Sequence, residues 1–189
     1  MLVNLKAIVP KIGSDELMIL SKDNPEAKFE TNSHGHLIVM SPTGSNSGRR
    51  NTKLIFQIEL WNSRVNLGVT FDSSTGFILS NGAVRSPDVT WIKLERWREL
   101  TQEQQDKFAP IDPDFVIELK SPTDNWRELQ AKMTEYMDCG VKLGWLINPE
   151  EKMVEIYRQG QEKEKLDNPT SLSGESILPN LIVDLTDIL

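Results

Sequence analysis

Two short stretches of this chain carry residue types that can act on a phosphate ester. Pro87-Asp88 is followed thirty residues later by Glu118-Leu119-Lys120. Alternate side chains of a strand share a face. In a strand over residues 114–120, Asp114, Val116, Glu118 and Lys120 would therefore lie on one side and Phe115, Ile117 and Leu119 on the other. Two residues along a strand span roughly 6–7 Å, so the Glu118 carboxylate and the Lys120 ammonium can serve one centre. If residues 85–90 form the neighbouring strand, Asp88 comes within reach of Glu118. Two carboxylates converging from adjacent strands make a hard-oxygen site suited to Mg²⁺ or Mn²⁺; Mg²⁺ takes oxygen ligands at about 2.0–2.1 Å and keeps several waters. A lysine alongside can orient or deprotonate one of those waters, or stabilise charge on a phosphate. The chemistry is metal-assisted hydrolysis. Asp114 also follows a proline, but four residues along one strand is roughly 13 Å, too far to share an ion with Glu118.

Each of these residues also has a plainer reading. Glu118 and Lys120 could be a same-face ion pair on an exposed sheet, worth about 0–1 kcal/mol. Asp88 could be a turn acid after proline. Glu30 could join the site or be a solvated acid at a strand end. Lys132 could reach the site or snorkel from its helix. His34 and His36, around Gly35, read as turn residues, and Trp61, Trp91, Trp126 and Trp145 read as core.

The elements that must position these groups follow from hydrophobic period and turn chemistry. Residues 1–27 show no sustained period and read as a loosely specified lead-in to a single domain over 28–189. Two short runs in residues 28–40 flank Asn32-Ser33-His34-Gly35, an N-terminal β-hairpin. Residues 41–48, rich in Ser, Gly and Pro, read as a loop. Leu54, Ile58, Trp61 and Val65 lie on one helical face and predict a helix over about residues 50–65. Val69–Phe71 and Phe77–Leu79 read as hairpin strands around Gly76 and Asn81-Gly82, Val89–Ile92 as another strand, and residues 94–107 as a short surface helix. The segment after Ser121-Pro122 carries the stripe Trp126, Leu129, Met133, Tyr136 and Met137, a helix capped by Asp124 or Asn125 and ended by Cys139-Gly140. Residues 143–147 and 153–157 form a hairpin around Asn148-Pro149, residues 159–169 are polar, and Leu181–Val183 is a last strand. This order indicates an α/β domain around a central mixed sheet.

Composition limits the function classes. The 189 residues include 21 Lys+Arg and 28 Asp+Glu, a net charge of −7, with 38% hydrophobic and 26% charged residues, the profile of a folded globular protein. No apolar run approaches the roughly 18 residues of a membrane span. The first residues lack the pattern of a secretory signal, which predicts a cytoplasmic protein. One cysteine and two histidines exclude an internal disulfide and a Cys/His zinc site. The acidic balance opposes a purely electrostatic grip on nucleic acid. Arg49, Arg50, Lys53 and Arg64, with Arg85, Lys93, Arg96 and Arg98, could gather into a local positive face or lie as scattered solvated charge.

The Pro-Asp…Glu-Leu-Lys pattern resembles the PD-(D/E)xK nuclease superfamily. Its surroundings are similar to the bacterial restriction-endonuclease-like branch that is expanded in cyanobacteria: Phe29-Glu30 with Gly35 and residues 37–44, Arg85-Ser86-Pro87-Asp88-Val89-Thr90-Trp91, residues 113–124, Lys132-Met133-Thr134-Glu135-Tyr136, and Gly144-Trp145-Leu146-Ile147-Asn148-Pro149. The resemblance covers about residue 28 to the C-terminus. It implies a restriction-endonuclease-like α/β fold, a central mixed sheet flanked by helices, and Mg²⁺-dependent cleavage of DNA. By resemblance Asp88 and Glu118 would hold the metal, Lys120 would be the catalytic lysine, and Lys132 would support the site or the phosphate. His36 departs from the pattern, since relatives often carry an acid after the turn glycine. The class implies a homodimer on duplex DNA. The alternative is a catalytically silent nuclease fold that binds DNA or a protein partner.

Overall fold

The computed structural model describes Val3–Asn4 and residues 11–40 and 42–189. Ser41, within the motif run above, and most of the first ten residues of the lead-in lie outside the described residues. The chain opens with β1 (Val3–Asn4), α1 (Ser14–Asp23) and the hairpin β2 (Lys28–Thr31) and β3 (Leu37–Met40), followed by the long helix α2 (Ser45–Val65). Next come β4 (Gly68–Asp72), β5 (Phe77–Ile78), β6 (Val84–Arg85) and β7 (Val89–Lys93), then the short helices α3 (Leu94–Arg98) and α4 (Gln102–Gln105). β8 (Phe115–Leu119), α5 (Trp126–Asp138), β9 (Leu143–Asn148) and β10 (Met153–Arg158) precede β11 (Glu164–Asp167), β12 (Ser171–Ser173) and β13 (Ile182–Asp184).

The central sheet has six strands in the order β11-β10-β9-β8-β7-β4. Only β8 and β9 are parallel, and α5 makes the crossover that a parallel pair requires. The alternation along β8 sorts as the sequence predicts. Phe115, Ile117 and Leu119 enter a core with Leu54 and Ile58 of α2, Trp91, Trp145 and the C-terminal Val183. Val116 faces the other way, into a second core with Met133 and Tyr136 of α5. The sheet is thus covered on both faces, which is why β8 and β9 are buried throughout. Burial of each large apolar side chain here is worth about 1.5–3 kcal/mol. The expected α/β fold, with its central mixed sheet and flanking helices, is present.

The hairpin β2–β3 belongs to a second sheet, ordered β1-β3-β2-β6-β5. Its turn is held by Asn32, whose Oδ1 accepts from the backbone N–H groups of His34 and His36, both at 3.0 Å, and by Gly35 at φ +75°. His34 and His36 stack on each other across this turn.

Several elements differ from the sequence reading. Residues 14–23 of the lead-in are helical because fully buried Leu17 packs on Leu37 and Val84; one buried position sets no readable period. α2 starts five residues earlier than expected, within the Ser/Gly segment read as loop. β4 and β5 do not pair: β4 joins β7 and β5 joins β6, in different sheets, because Phe77 is buried beside Leu79, Ala83 and Ala109. The Asn81-Gly82 turn does form, closed between Leu79 and Ala83, with Gly82 at φ +84°. The polar helix over 94–107 is two short helices, the second opened by a Thr101/Gln104 capping box. The polar stretch 159–169 contains β11, an edge strand that needs only β10 as partner and carries charges outward. Among the described residues no helix is long and apolar enough to cross a membrane.

α2, β4 and β7 are tied at one point. Asn62 Nδ2 donates to the Gly68 carbonyl, while its Oδ1 accepts from Gly68 N–H and from Trp91 Nε1. A Cβ on Gly68 would run into the Trp91 ring and the Ile92 carbonyl. Gly68→Ala should lose about 1–3 kcal/mol of unfolding free energy. Urea denaturation measures this, and unchanged stability would contradict the packing at this corner.

Candidate active site

β7 and β8 are antiparallel, with Val89 opposite Ile117 and Thr90 opposite Val116. The same register, carried one step further, sets Asp88 across from Glu118. The Asp88 side chain is held from two sides: Oδ1 accepts from Asn51 Nδ2 of α2, and Oδ2 accepts from the backbone N–H of Leu119, both at 2.8 Å. Glu118 is 4% exposed, and its Oε1 accepts from the Tyr136 hydroxyl and from Lys132 Nζ, both at 2.8 Å. Among the described residues no donor reaches Oε2.

Lys132 and Tyr136 are four apart on α5 and so present side chains to the same spot. Lys132 Nζ also bonds Glu30 Oε1 at 2.9 Å. Glu30 is deeply buried. It accepts from the Ser86 N–H at 2.9 Å and from Arg85 Nη1 at 3.0 Å, and Arg85 Nε continues to Glu135 at 2.7 Å. β2 pairs with β6 at Thr31 and Val84, which carries Glu30 to the residues just before Pro87-Asp88. The hairpin thereby closes the site from the second sheet.

Burial dominates the protonation of these groups. It pushes Glu118 up to about 7; Lys132 pulls the other way, while the charges of Asp88 and Glu30 add to the rise. Burial also raises Asp88, outweighing the Leu119 N–H and the positive charge of Lys132. Glu30 is likewise penalised by burial, yet Lys132 and Arg85 beside it hold it below the usual carboxylate value. Lys132 resists the same penalty because Glu118 and Glu30 flank it, and its ammonium stays charged above the usual lysine range.

The four residues Asp88, Glu118, Lys132 and Glu30 therefore converge. Lys120 follows Glu118 on the strand, but its ammonium is bonded to Glu150 Oε2 at 2.6 Å and to the Ser121 carbonyl at 3.2 Å. The ammonium of Lys132 is taken up by two carboxylates. Asp114 is structural, accepting from Lys93 N–H and pairing with Arg96. Half of the positive face considered from sequence is neutralised: Arg85 pairs with Glu30 and Glu135, Lys93 with Glu95, Arg96 with Asp114 and Lys53 with Asp187. Sequence reasoning missed Asn51 as the partner of Asp88, a contact across 37 residues that no local pattern encodes. It assigned Tyr136 to packing, although the Lys132–Tyr136 spacing was a signal for a shared target.

A cavity of about 430 Å³ opens beside Asp88, lined among others by Lys28, Met40, Thr43, Asn51 and Thr52. The donor set fits a hard divalent cation. Asp88 and Glu118 supply oxygen only, among the described residues no donor reaches Glu118 Oε2, and burial raises both acids despite Lys132 nearby. Among the described residues Glu118, Glu30 and Glu135 form ion pairs with Lys132 and Arg85 alone, and Asp88, which has no ion pair of its own, makes a formal excess of two negative charges. Among the described residues no three acidic, His or Cys side chains are placed to hold one metal ion together. The chain offers two carboxylates, and water or phosphate oxygens would complete the shell, the arrangement Mg²⁺ favours.

Comparisons with known proteins give the family and the fold. A family model described as "Uma2: Putative restriction endonuclease" matches residues 14–186, and the chain belongs to that family, whose description points to nuclease function. The chain is also similar to the crystal structure of "a putative nuclease belonging to DUF820" from Anabaena variabilis ATCC 29413. That similarity has a TM-score of 0.75 and 22% sequence identity, and covers 94% of this chain and 97% of the other, a likeness of fold. No curated protein matches.

In the cation-free protein the Glu118 carboxyl should titrate near pH 7, followed by its ¹³C shift; a midpoint near the ordinary 4.5 would contradict the burial argument. An acid raised on folding contributes its stability below its unfolded pKa and loses it as pH climbs through the folded one. Stability of the cation-free protein should therefore fall between about 4.5 and 7, and Glu118→Gln should flatten that part of the profile.

Proposed function

We propose that this chain is a cytoplasmic endonuclease that hydrolyses DNA phosphodiester bonds with the aid of Mg²⁺ or Mn²⁺, working as a homodimer whose two-fold axis matches that of duplex DNA. The observation that carries the reading is the β7–β8 register, which sets Asp88, in the wall of a cavity, opposite Glu118. Asp88 and Glu118 would hold the cation. When bound, such an ion polarises the phosphoryl oxygens and lowers the pKa of a coordinated water.

The chain's own residues divide the remaining work. Lys120, once released by Glu150, brings an ammonium to the substrate phosphate or to the attacking water. Lys132 offsets part of the burial cost of ionising Glu118 and orients it through a 2.8 Å contact, and Tyr136 fixes the same oxygen, which would leave Oε2 for the ion. Glu30 holds Lys132 from behind. Asn51 and the Leu119 N–H fix the Asp88 carboxylate.

Asp88→Ala, Glu118→Ala and Lys120→Ala should each lower cation-dependent cleavage of a DNA duplex by about 10²-fold or more, the usual worth of a group acting on the proton or charge transferred. Plasmid nicking and linearisation would record it. Full cleavage by both Glu118→Ala and Lys120→Ala would leave a DNA-binding or interaction module as the better account. Calorimetry should also show Mg²⁺ binding, with a short duplex present, that is lost in Glu118→Ala. That binding should tighten as pH rises through 7, because the cation displaces the Glu118 proton.

A further inference from the structure

The partner of Lys120 is supplied by the turn after β9. β8 and β9 run parallel with Leu119 beside Ile147, and the ladder continues through the Lys120 N–H to the Ile147 carbonyl at 2.8 Å. The turn that follows Asn148 therefore lies next to Lys120. Asn148 is 1% exposed and its Oδ1 accepts from the N–H groups of both Glu150 and Glu151, each at 3.2 Å, which fixes the turn. From it Glu150 reaches the Lys120 ammonium at 2.6 Å. The two partners are unequal: the Lys120 side chain is 11% exposed, that of Glu150 52%. The lysine is held in place by the fold, whereas the carboxylate can leave for water.

Carboxylate and phosphate oxygens are alike as anionic acceptors for an ammonium, and both form short charge-assisted bonds with it. The geometry points to Glu150 as a displaceable stand-in for the substrate phosphate: it parks Lys120 in the DNA-free protein and competes with the phosphodiester for that ammonium. The inference rests on the nuclease reading of Lys120. Glu150 is a positioning residue that acts through Lys120, and it sets how readily the site accepts DNA.

The test is fluorescence anisotropy of a labelled short DNA duplex with cations withheld, so that binding is read without cleavage. Glu150→Gln should tighten binding by roughly threefold to fivefold, the effect of freeing one partly exposed ion pair. Glu151→Gln removes an equal charge from the same turn, and its carboxylate makes no ion pair among the described residues, so it should change binding little. In a Lys120→Ala background Glu150→Gln should have no effect. Weaker or unchanged binding by Glu150→Gln overturns the inference. So does equal tightening by Glu151→Gln, or a gain that persists without Lys120. Failure of the nuclease reading is seen separately, as cleavage indifferent to Glu118→Ala. A wild-type protein that binds no DNA overturns both.

Discussion

The site depends on one buried ammonium. Lys132 sits between Glu118 and Glu30 with contacts of 2.8 and 2.9 Å, and without it two carboxylates would face each other in a low-dielectric interior. Burying unpaired charge costs several kcal/mol per ion, and removing one member of a buried pair is correspondingly destabilising. The three groups come from a hairpin, a central strand and a helix, so the ion contacts fix the relative placement of three elements. Arg85 and Glu135 extend the same constraint to β6 and to the next turn of α5.

This network also explains why two acids in one cluster behave differently. Glu30 receives two cations and a backbone N–H and stays ionised. Glu118 shares one cation, receives a neutral hydroxyl and faces a second carboxylate, so its charge is disfavoured. Burial penalises both, and the count of positive partners decides the outcome. The cluster is electrostatically incomplete on the side of Asp88 and complete on the side of Glu30. An added cation would be drawn to the former.

The scaffold turns strand register into chemistry. In the antiparallel pair β7–β8, one register step would move Asp88 away from Glu118 and exchange core and site faces along the strand, so the apolar alternation that packs α2 and α5 also keeps the carboxylates opposed. The parallel pair β8–β9 has a different consequence. It brings the end of β9, and with it the Glu150 turn, alongside Lys120, which a hairpin partner running the other way would not do.

Local pattern made much of this legible. Alternation in residues 115–119 is set by side chains that must choose a face, and it gave both the strand and the division of its apolar residues between two cores. The stripe Trp126, Leu129, Met133, Tyr136 and Met137 gave α5, and Asn-Gly and Asn-Pro turns gave their hairpins, because each rests on interactions within a few residues. The helix at 14–23 and the pairings of β4 and β5 were not legible, since a single buried Leu17 and a choice between two sheets are settled by distant partners. The same division runs through the site. Residue types and spacing pointed to Asp88 and Glu118 as neighbouring carboxylates with lysines nearby. Only the tertiary structure decided that Glu30 and Lys132 are buried partners, that Asn51 and Tyr136 hold the carboxylates, and that Lys120 is occupied by Glu150. Ion pairs form between charges brought together by topology, and the sequence distance between those charges carries no trace of it.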